Sequence, residues 1–344
     1  MNLDKLEKCP YATTVKPSNQ IFDELGKNTY NYLDIISELI DNSIAARRTD
    51  IDILEVTIKL LLNKNNKAVK LTITDNAAGI SQDKLGEAIT PAGRQKPNSL
   101  NEHGLGMKQA IAALGTLEYL LTKVVDEPKA RLIKKLEFGD IPTYYADFQS
   151  QSGTEISVIN LKSIVVFDIN KIKREIKPML GARYRRFLSA DNRKMNLELT
   201  FWKETNQGNL FENEIFTCPK GIRYKFQAKH EVQEVKPIYF HSSKRTNKPE
   251  ILKHPISGKG WKAELTFGYA PQDKEYEEIG VEIPPKSDPY YVSMNKQGLD
   301  IILHNRVILF HQLFELDIVP NRGSSVLSVL NLLKNKFETL VWLR

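Results

Sequence analysis

The chain has 344 residues, 41% of them hydrophobic and 26% charged, and a formal net charge of +7. This length favours two domains, and no apolar run approaches the roughly 20 residues that a membrane span needs. The opening MNLDKLEKCPY lacks the apolar centre of a signal peptide, and two distant cysteines, Cys9 and Cys218, fit a reducing, cytoplasmic setting better than a disulfide framework. The six histidines and two cysteines show no metal-ligand spacing.

The first strong element is a helix over Tyr30 to Arg47. The stretch has no Gly or Pro, and Leu33, Ile36, Ile40 and Ile44 recur at helical spacing. Glu38, Asp41 and Asn42 fall at i, i+3 and i+4, on roughly the opposite face. A solvated surface helix carries the same pattern. Two carboxylates beside an amide also suit water activation and Mg²⁺ coordination.

Val69 to Thr74 alternates apolar and polar residues, as a half-buried strand does. Asp75 continues the parity of Val69, Leu71 and Ile73, so its carboxylate is expected on the packed side, where it needs a donor. The loop Asn76-Ala77-Ala78-Gly79-Ile80 follows and permits close backbone approach to a flat ligand. From Thr90, a segment rich in Pro, Gly, Asn and Ser reads as a loop leading to Gly104-Leu105-Gly106 and a helix over Met107 to Leu114. Glycines at a helix start expose N–H groups suited to an anion. Lys108, unfavourable in a first turn without an anion, is explained by phosphate. Ser152-Gly153-Thr154 then enters a strand, Glu155 to Ile159.

In this order the motifs resemble the GHKL ATPases, the superfamily of gyrase B, MutL, the ninety-kilodalton heat-shock chaperone, histidine kinases and MORC proteins. The resemblance runs from about Tyr30 to Ile159 and is closest to MORC-like and MutL-like members. It implies an α/β fold: a Bergerat-fold α/β sandwich followed by a βαββ-type transducer domain. It implies ATP and Mg²⁺ as cofactors, with Glu38 as general base and Asn42 as metal ligand. Asp41 is implied as a supporting residue, Asp75 as the adenine reader, and Gly79 and Ile80 as its loop. Lys96, His103, Gly104, Leu105, Gly106, Met107 and Lys108 are implied around the phosphates, with Lys108 also catalytic, and Thr154 beside adenine. The sequence departs from the family pattern at Ala77, where the aspartate loop carries its first glycine. It departs again at Asn101, where the lid carries its first glycine; Asn tolerates a left-handed backbone better than most residues.

The expected division is 1–28 as an N-terminal dimerisation strap, 29–168 as the ATP-binding domain, and 169–344 as a transducer-like domain with a basic insertion at 205–262. Ile172 to Leu188 reads as a helix containing the basic run 183–186, and Asn196 to Trp202 as a strand. Lys220 to Lys262 reads as irregular, with eleven Lys/Arg against three acids and interleaved aromatics. Such a stretch fits nucleic-acid phosphates and bases or a lysine-guarded sheet edge. Gly298 to Phe310 reads as a hairpin turning at His304-Asn305-Arg306, and it resembles the transducer of MutL- and MORC-like proteins. There the resemblance implies a lysine for the γ-phosphate, with Lys296 the candidate and Lys286 the second. SSVLSVLNLLKNKFETLVWLR reads as an amphipathic helix without a C-cap, as expected of a piece of a longer protein.

The function expected is a nucleotide-gated homodimeric clamp that hydrolyses ATP. DNA, held through 183–186 and 220–262, is the expected load, and a prokaryotic restriction or anti-phage role fits by analogy. The alternatives are a chaperone-like GHKL protein with a protein load, and a nucleotide-sensing module that hydrolyses ATP poorly and assembles with an effector nuclease or helicase.

Overall fold

The computed structural model describes residues 18–27, 31–91, 105–162, 169–206, 215–217, 222–237, 252–258, 261–269, 276–277, 280, 282–291, 293, 296, 299–312 and 335–343. Its α-helices are α1 (Gln20–Glu24), α2 (Tyr32–Ala45), α3 (Gln82–Ile89), α4 (Gly106–Leu114), α5 (Ile169–Lys171), α6 (Lys177–Arg183) and α7 (Arg185–Leu188), with a π-helical turn, Ile172–Ile176, between α5 and α6. Its strands are β1 (Leu54–Leu62), β2 (Ala68–Asp75), β3 (Thr116–Lys123), β4 (Ala130–Ile133), β5 (Tyr144–Ala146), β6 (Gly153–Ile159), β7 (Met195–Thr205), β8 (Ile215–Thr217), β9 (Arg223–Glu231), β10 (Leu252–Gly258), β11 (Trp261–Tyr269), β12 (Leu299–Leu303), β13 (Arg306–Gln312) and β14 (Asn335–Leu343).

Among the described residues the strands form two mixed sheets. The larger runs β5-β4-β3-β6-β2-β1-β7-β9-β8 and is antiparallel except for β1 with β7; the smaller runs β10-β11-β14-β12-β13. Alternation decides which side of the larger sheet is packed. Leu54, Val56, Ile58 and Leu60 of β1, Leu71 and Ile73 of β2, and Leu197, Leu199 and Phe201 of β7 share one core with Ile36, Leu39 and Ile40 of α2 and with Ala110, Ile111 and Leu114 of α4. The opposite face carries Thr57, Lys59, Lys70, Thr72 and Thr74. Helices on one face of a mixed sheet make this an α/β sandwich.

The helix α2 starts where Asn31 Oδ1 accepts from the Asp34 N–H at 3.0 Å. It is buried on more than its apolar face, because Ser37, Asp41 and Ser43 are buried too.

Three expectations change here. The sheet is continuous across 168–169, because β7 pairs with β1 over nine residues from Leu54↔Met195 to Leu62↔Lys203. Part of the stretch expected to be irregular is regular: β9 pairs with β7 from Glu198↔Glu231 to Thr205↔Arg223, and β10 pairs with β11. Asn335–Leu343 is a strand and not a helix, paired with β11 on one side and β12 on the other. Phe337, Thr339, Val341 and Trp342 favour an extended backbone, and two flanking strands satisfy its hydrogen bonds.

Candidate functional site

The end of β2 lies beside α2, and Asp75 sits at that junction. Its Oδ2 accepts from Ser43 Oγ at 2.7 Å, and its Oδ1 accepts from the N–H groups of Ala77 and Thr154, each at 3.0 Å. Burial raises the Asp75 pKa, and these three donors pull it back. The result is a fixed acceptor at the rim of a cavity.

The turn after β2 needs its glycine. Gly79 has φ +73°, and a Cβ there would run into the Lys123 carbonyl. Ala77 is accommodated: its methyl is fully buried, its N–H bonds Asp75, and its carbonyl accepts from Ser152 Oγ at 2.7 Å. The Ile80 N–H donates to the buried Thr122 Oγ1 at 2.7 Å, and Thr122 lies 3.3 Å from Thr154 Oγ1.

Across the cavity stands the start of α4. Leu105, its N-cap residue, has no side-chain oxygen to cap the helix, so among the described residues no side chain caps the first N–H groups, which suit an anion. Lys108 in the first turn is 2% exposed, and burial holds its ammonium pKa down at about 8. Glu38 reaches over from α2: a Cβ on Gly106 would overlap its Oε2. Burial raises the Glu38 pKa, Arg306 and Arg183 oppose that, and Asp34 adds to it. Asn42 donates its amide N–H to the Glu38 carbonyl, which leaves the amide oxygen for another partner.

The cavity these elements enclose is about 240 Å³, lined by Asn42, Ser43, Asp75, Gly79, Ile80, Gly106, Met107, Lys108 and Thr154, with Leu39, Ala45, Ala46, Ile73, Ala88 and Ile156 as its apolar wall. An apolar slot with a carboxylate acceptor at one side and a cationic helix start at the other suits a flat amine-bearing base joined to an anionic chain. A second cavity of about 560 Å³ lies on the opposite sheet face. It has no helix start, and its Glu155 is taken up by Thr74 and Tyr119 hydroxyls at 2.9 and 2.6 Å.

Most expected site residues therefore meet at one place, with Glu38 and Leu105 at its border. Others do not. Asp41 points away from the cavity: it is 0% exposed, its Oδ1 accepts from Tyr184 Oη at 3.0 Å, and its Oδ2 pairs with Arg306. The period-3.6 pattern groups Glu38, Asp41 and Asn42, but packing of the second half against α2 divides that face in two. Lys296 is also elsewhere, its ammonium bonding the carbonyls of Lys286 (2.5 Å) and Asp288 (2.6 Å). Lys96, His103 and Gly104 lie outside the described residues.

The basic run 183–186 is a correction as well. Arg183, Tyr184 and Arg185 are buried: Arg183 donates to Asp34 at 2.8 Å and Arg185 to Tyr290 Oη at 2.6 Å. Arg186 reaches Asn305 at 3.5 Å. Arg183 and Arg185 are engaged inside the protein, by Asp34 and by Tyr290 and Asp300, and offer no surface for phosphate. Sequence reasoning missed Ser43 and Arg306. Ser43 adjoins Asn42 in the motif, but only the pairing of helix with strand end brings it to Asp75.

Residues 30–143 match the family described as histidine kinase-, DNA gyrase B- and HSP90-like ATPase. Over this third of the chain the sequence is similar to the GHKL ATPases. Among solved structures, the Aquifex aeolicus MutL ATPase domain complexed with ADP aligns with 91% of this chain and 91% of its own, at 13% identity and a TM-score of 0.38. No curated protein matches the chain. No helix among the described residues is long and apolar enough to cross a membrane.

Proposed function

We propose that this chain binds ATP in the cavity between α2, the loop after β2 and α4, and hydrolyses it as a nucleotide-gated dimeric clamp on DNA. One observation carries the reading: Asp75, a held acceptor, and the start of α4 with buried Lys108 face one cavity. An adenine amine suits the first and a polyphosphate the second.

In this reading Glu38 takes the proton of the attacking water, and the burial that raises its pKa strengthens it as a base. Asn42 offers its amide oxygen to Mg²⁺, which, when bound, neutralises phosphate charge. Lys108 holds the anionic oxygens as charge develops. Dimerisation follows the resemblance to MutL- and MORC-like members. DNA as the load is supported by the net charge of +7.

The test is ATP turnover of the wild type, Glu38→Ala and Asp75→Asn, with and without duplex DNA, alongside molar mass with a non-hydrolysable ATP analogue. Glu38→Ala is expected to bind ATP without hydrolysing it, Asp75→Asn to lose binding, and DNA stimulation to fade with salt. Normal turnover in Glu38→Ala removes Glu38 as the base. Bound ATP with no wild-type turnover favours a nucleotide-sensing module that acts through a protein effector.

A further inference from the structure

The hairpin β12–β13 is so far without a task. Its turn has two residues, His304 and Asn305, between the paired Leu303 and Arg306. Both have left-handed backbones, φ 51° and 65°, the geometry of a type I′ turn. Neither is glycine, but His and Asn are among the residues that adopt this backbone most readily. Its product is the placement of Arg306.

Arg306 lies at the α2 interface, with its guanidinium against Asp41 Oδ2. Asp41 is one helical turn after Glu38 and fully buried. The same stretch of helix is gripped at two more points from the second half of the chain. Arg183 donates to Asp34 Oδ1 at 2.8 Å, one turn before Glu38. Tyr184 Oη contacts both the Ser37 carbonyl (3.2 Å) and Asp41 Oδ1 (3.0 Å). Residues 34, 37 and 41 follow the i, i+3, i+7 spacing of one helix face. Glu38 lies between these grips, with its carboxylate turned to Gly106.

The hairpin is anchored in turn. Asp300 of β12 accepts from Tyr290 Oη at 2.6 Å and from the His311 N–H at 3.1 Å, and Tyr290 also accepts from Arg185. Asn305 in the turn meets Arg186. A polar chain therefore joins the second half of the molecule to the turn of α2 that carries Glu38.

We propose that Arg306 is a positioning residue for ATP hydrolysis: seated by the hairpin on Asp41, it fixes the turn of α2 that holds Glu38 against Gly106 at the cavity's border. Turnover then depends on the hairpin being docked, and the second half communicates with the ATP site through this ion pair. The inference rests on Glu38 being the base.

The test separates position from folding. Removing Arg306 alone strands a buried carboxylate, so the informative variant replaces the pair by apolar groups, Asp41→Leu with Arg306→Met, which preserves packing. With Mg²⁺ and a non-hydrolysable ATP analogue, this variant is expected to bind within about threefold of wild type. Its kcat is expected to fall at least about tenfold. Arg306→Lys, which keeps the charge, is expected to retain most of kcat.

A folded apolar-pair variant with wild-type kcat would overturn the proposal. So would a loss confined to affinity, with kcat unchanged. Glu38→Gln distinguishes the two readings. Wild-type turnover in Glu38→Gln overturns the base assignment itself. A silent Glu38→Gln beside a fully active apolar pair overturns only the role of Arg306. A wild-type chain that binds ATP and never turns it over overturns both.

Discussion

Lys108 is the residue at which the site most clearly opposes stability. Its side chain is buried, 2% exposed, and its pKa falls from the ordinary 10.5 to about 8 because burial disfavours the charged form. That fall corresponds to about 3 kcal/mol of destabilisation in the nucleotide-free chain at pH 7. Because the folded pKa is the lower one, the unfolded chain binds the extra proton between pH 8 and 10.5. Stability should therefore rise with pH through that window, and the whole cost is present below it.

Replacing the ammonium by an apolar side chain of similar length removes this cost. Lys108→Met is expected to stabilise the nucleotide-free chain by up to about 3 kcal/mol at pH 7, less what imperfect packing and the loss of the ammonium's own contacts take back. It should also lose about 2 kcal/mol of ATP binding, near thirtyfold, as a charge-assisted contact disappears. Urea unfolding at pH 7 and pH 9.5, with and without Mg-ATP, reads both effects. The gain over wild type should shrink at the higher pH. A variant that is less stable than wild type without nucleotide, and binds ATP equally well, would refute the reasoning.

Ser43→Ala removes the hydroxyl that donates to Asp75 Oδ2 at 2.7 Å; calorimetric titration should show ATP affinity about fivefold weaker, near 1 kcal/mol. Gly79→Ala places a methyl against the Lys123 carbonyl at φ +73°, so melting should reveal a loss of about 2 kcal/mol or more and nucleotide binding should fail. Tyr184→Phe takes one donor from Asp41 and from the Ser37 carbonyl; denaturant unfolding should register a loss of about 2 kcal/mol, and an unchanged midpoint would mean that this grip on α2 contributes nothing.

Local signals were enough for much of the site. The helix from Tyr32, the strand ending at Asp75, the glycine turn and the helix opening at Gly106 each follow from periodicity and turn chemistry over a few residues. Their order along the chain pointed to one cavity, and the fold brings them there because α2 and α4 cover the same sheet face.

What sequence could not determine involves partners distant along the chain. Asp41 and Asn42 are neighbours, but Asn42 lines the cavity while Asp41 is buried on Arg306, far along the chain. A helical wheel distinguishes faces and not what will cover them. The run 183–186 reads as a surface for phosphate because charge in a sequence carries no sign of its counter-charge; Asp34 and Asp300 supply it only after folding. Asn335–Leu343 had a helix-like composition upstream and became a strand because β11 and β12 left a place between them. Short-range preferences are worth tenths of a kcal/mol per residue, whereas backbone groups inserted between two strands must be hydrogen-bonded, so tertiary pairing decided the outcome.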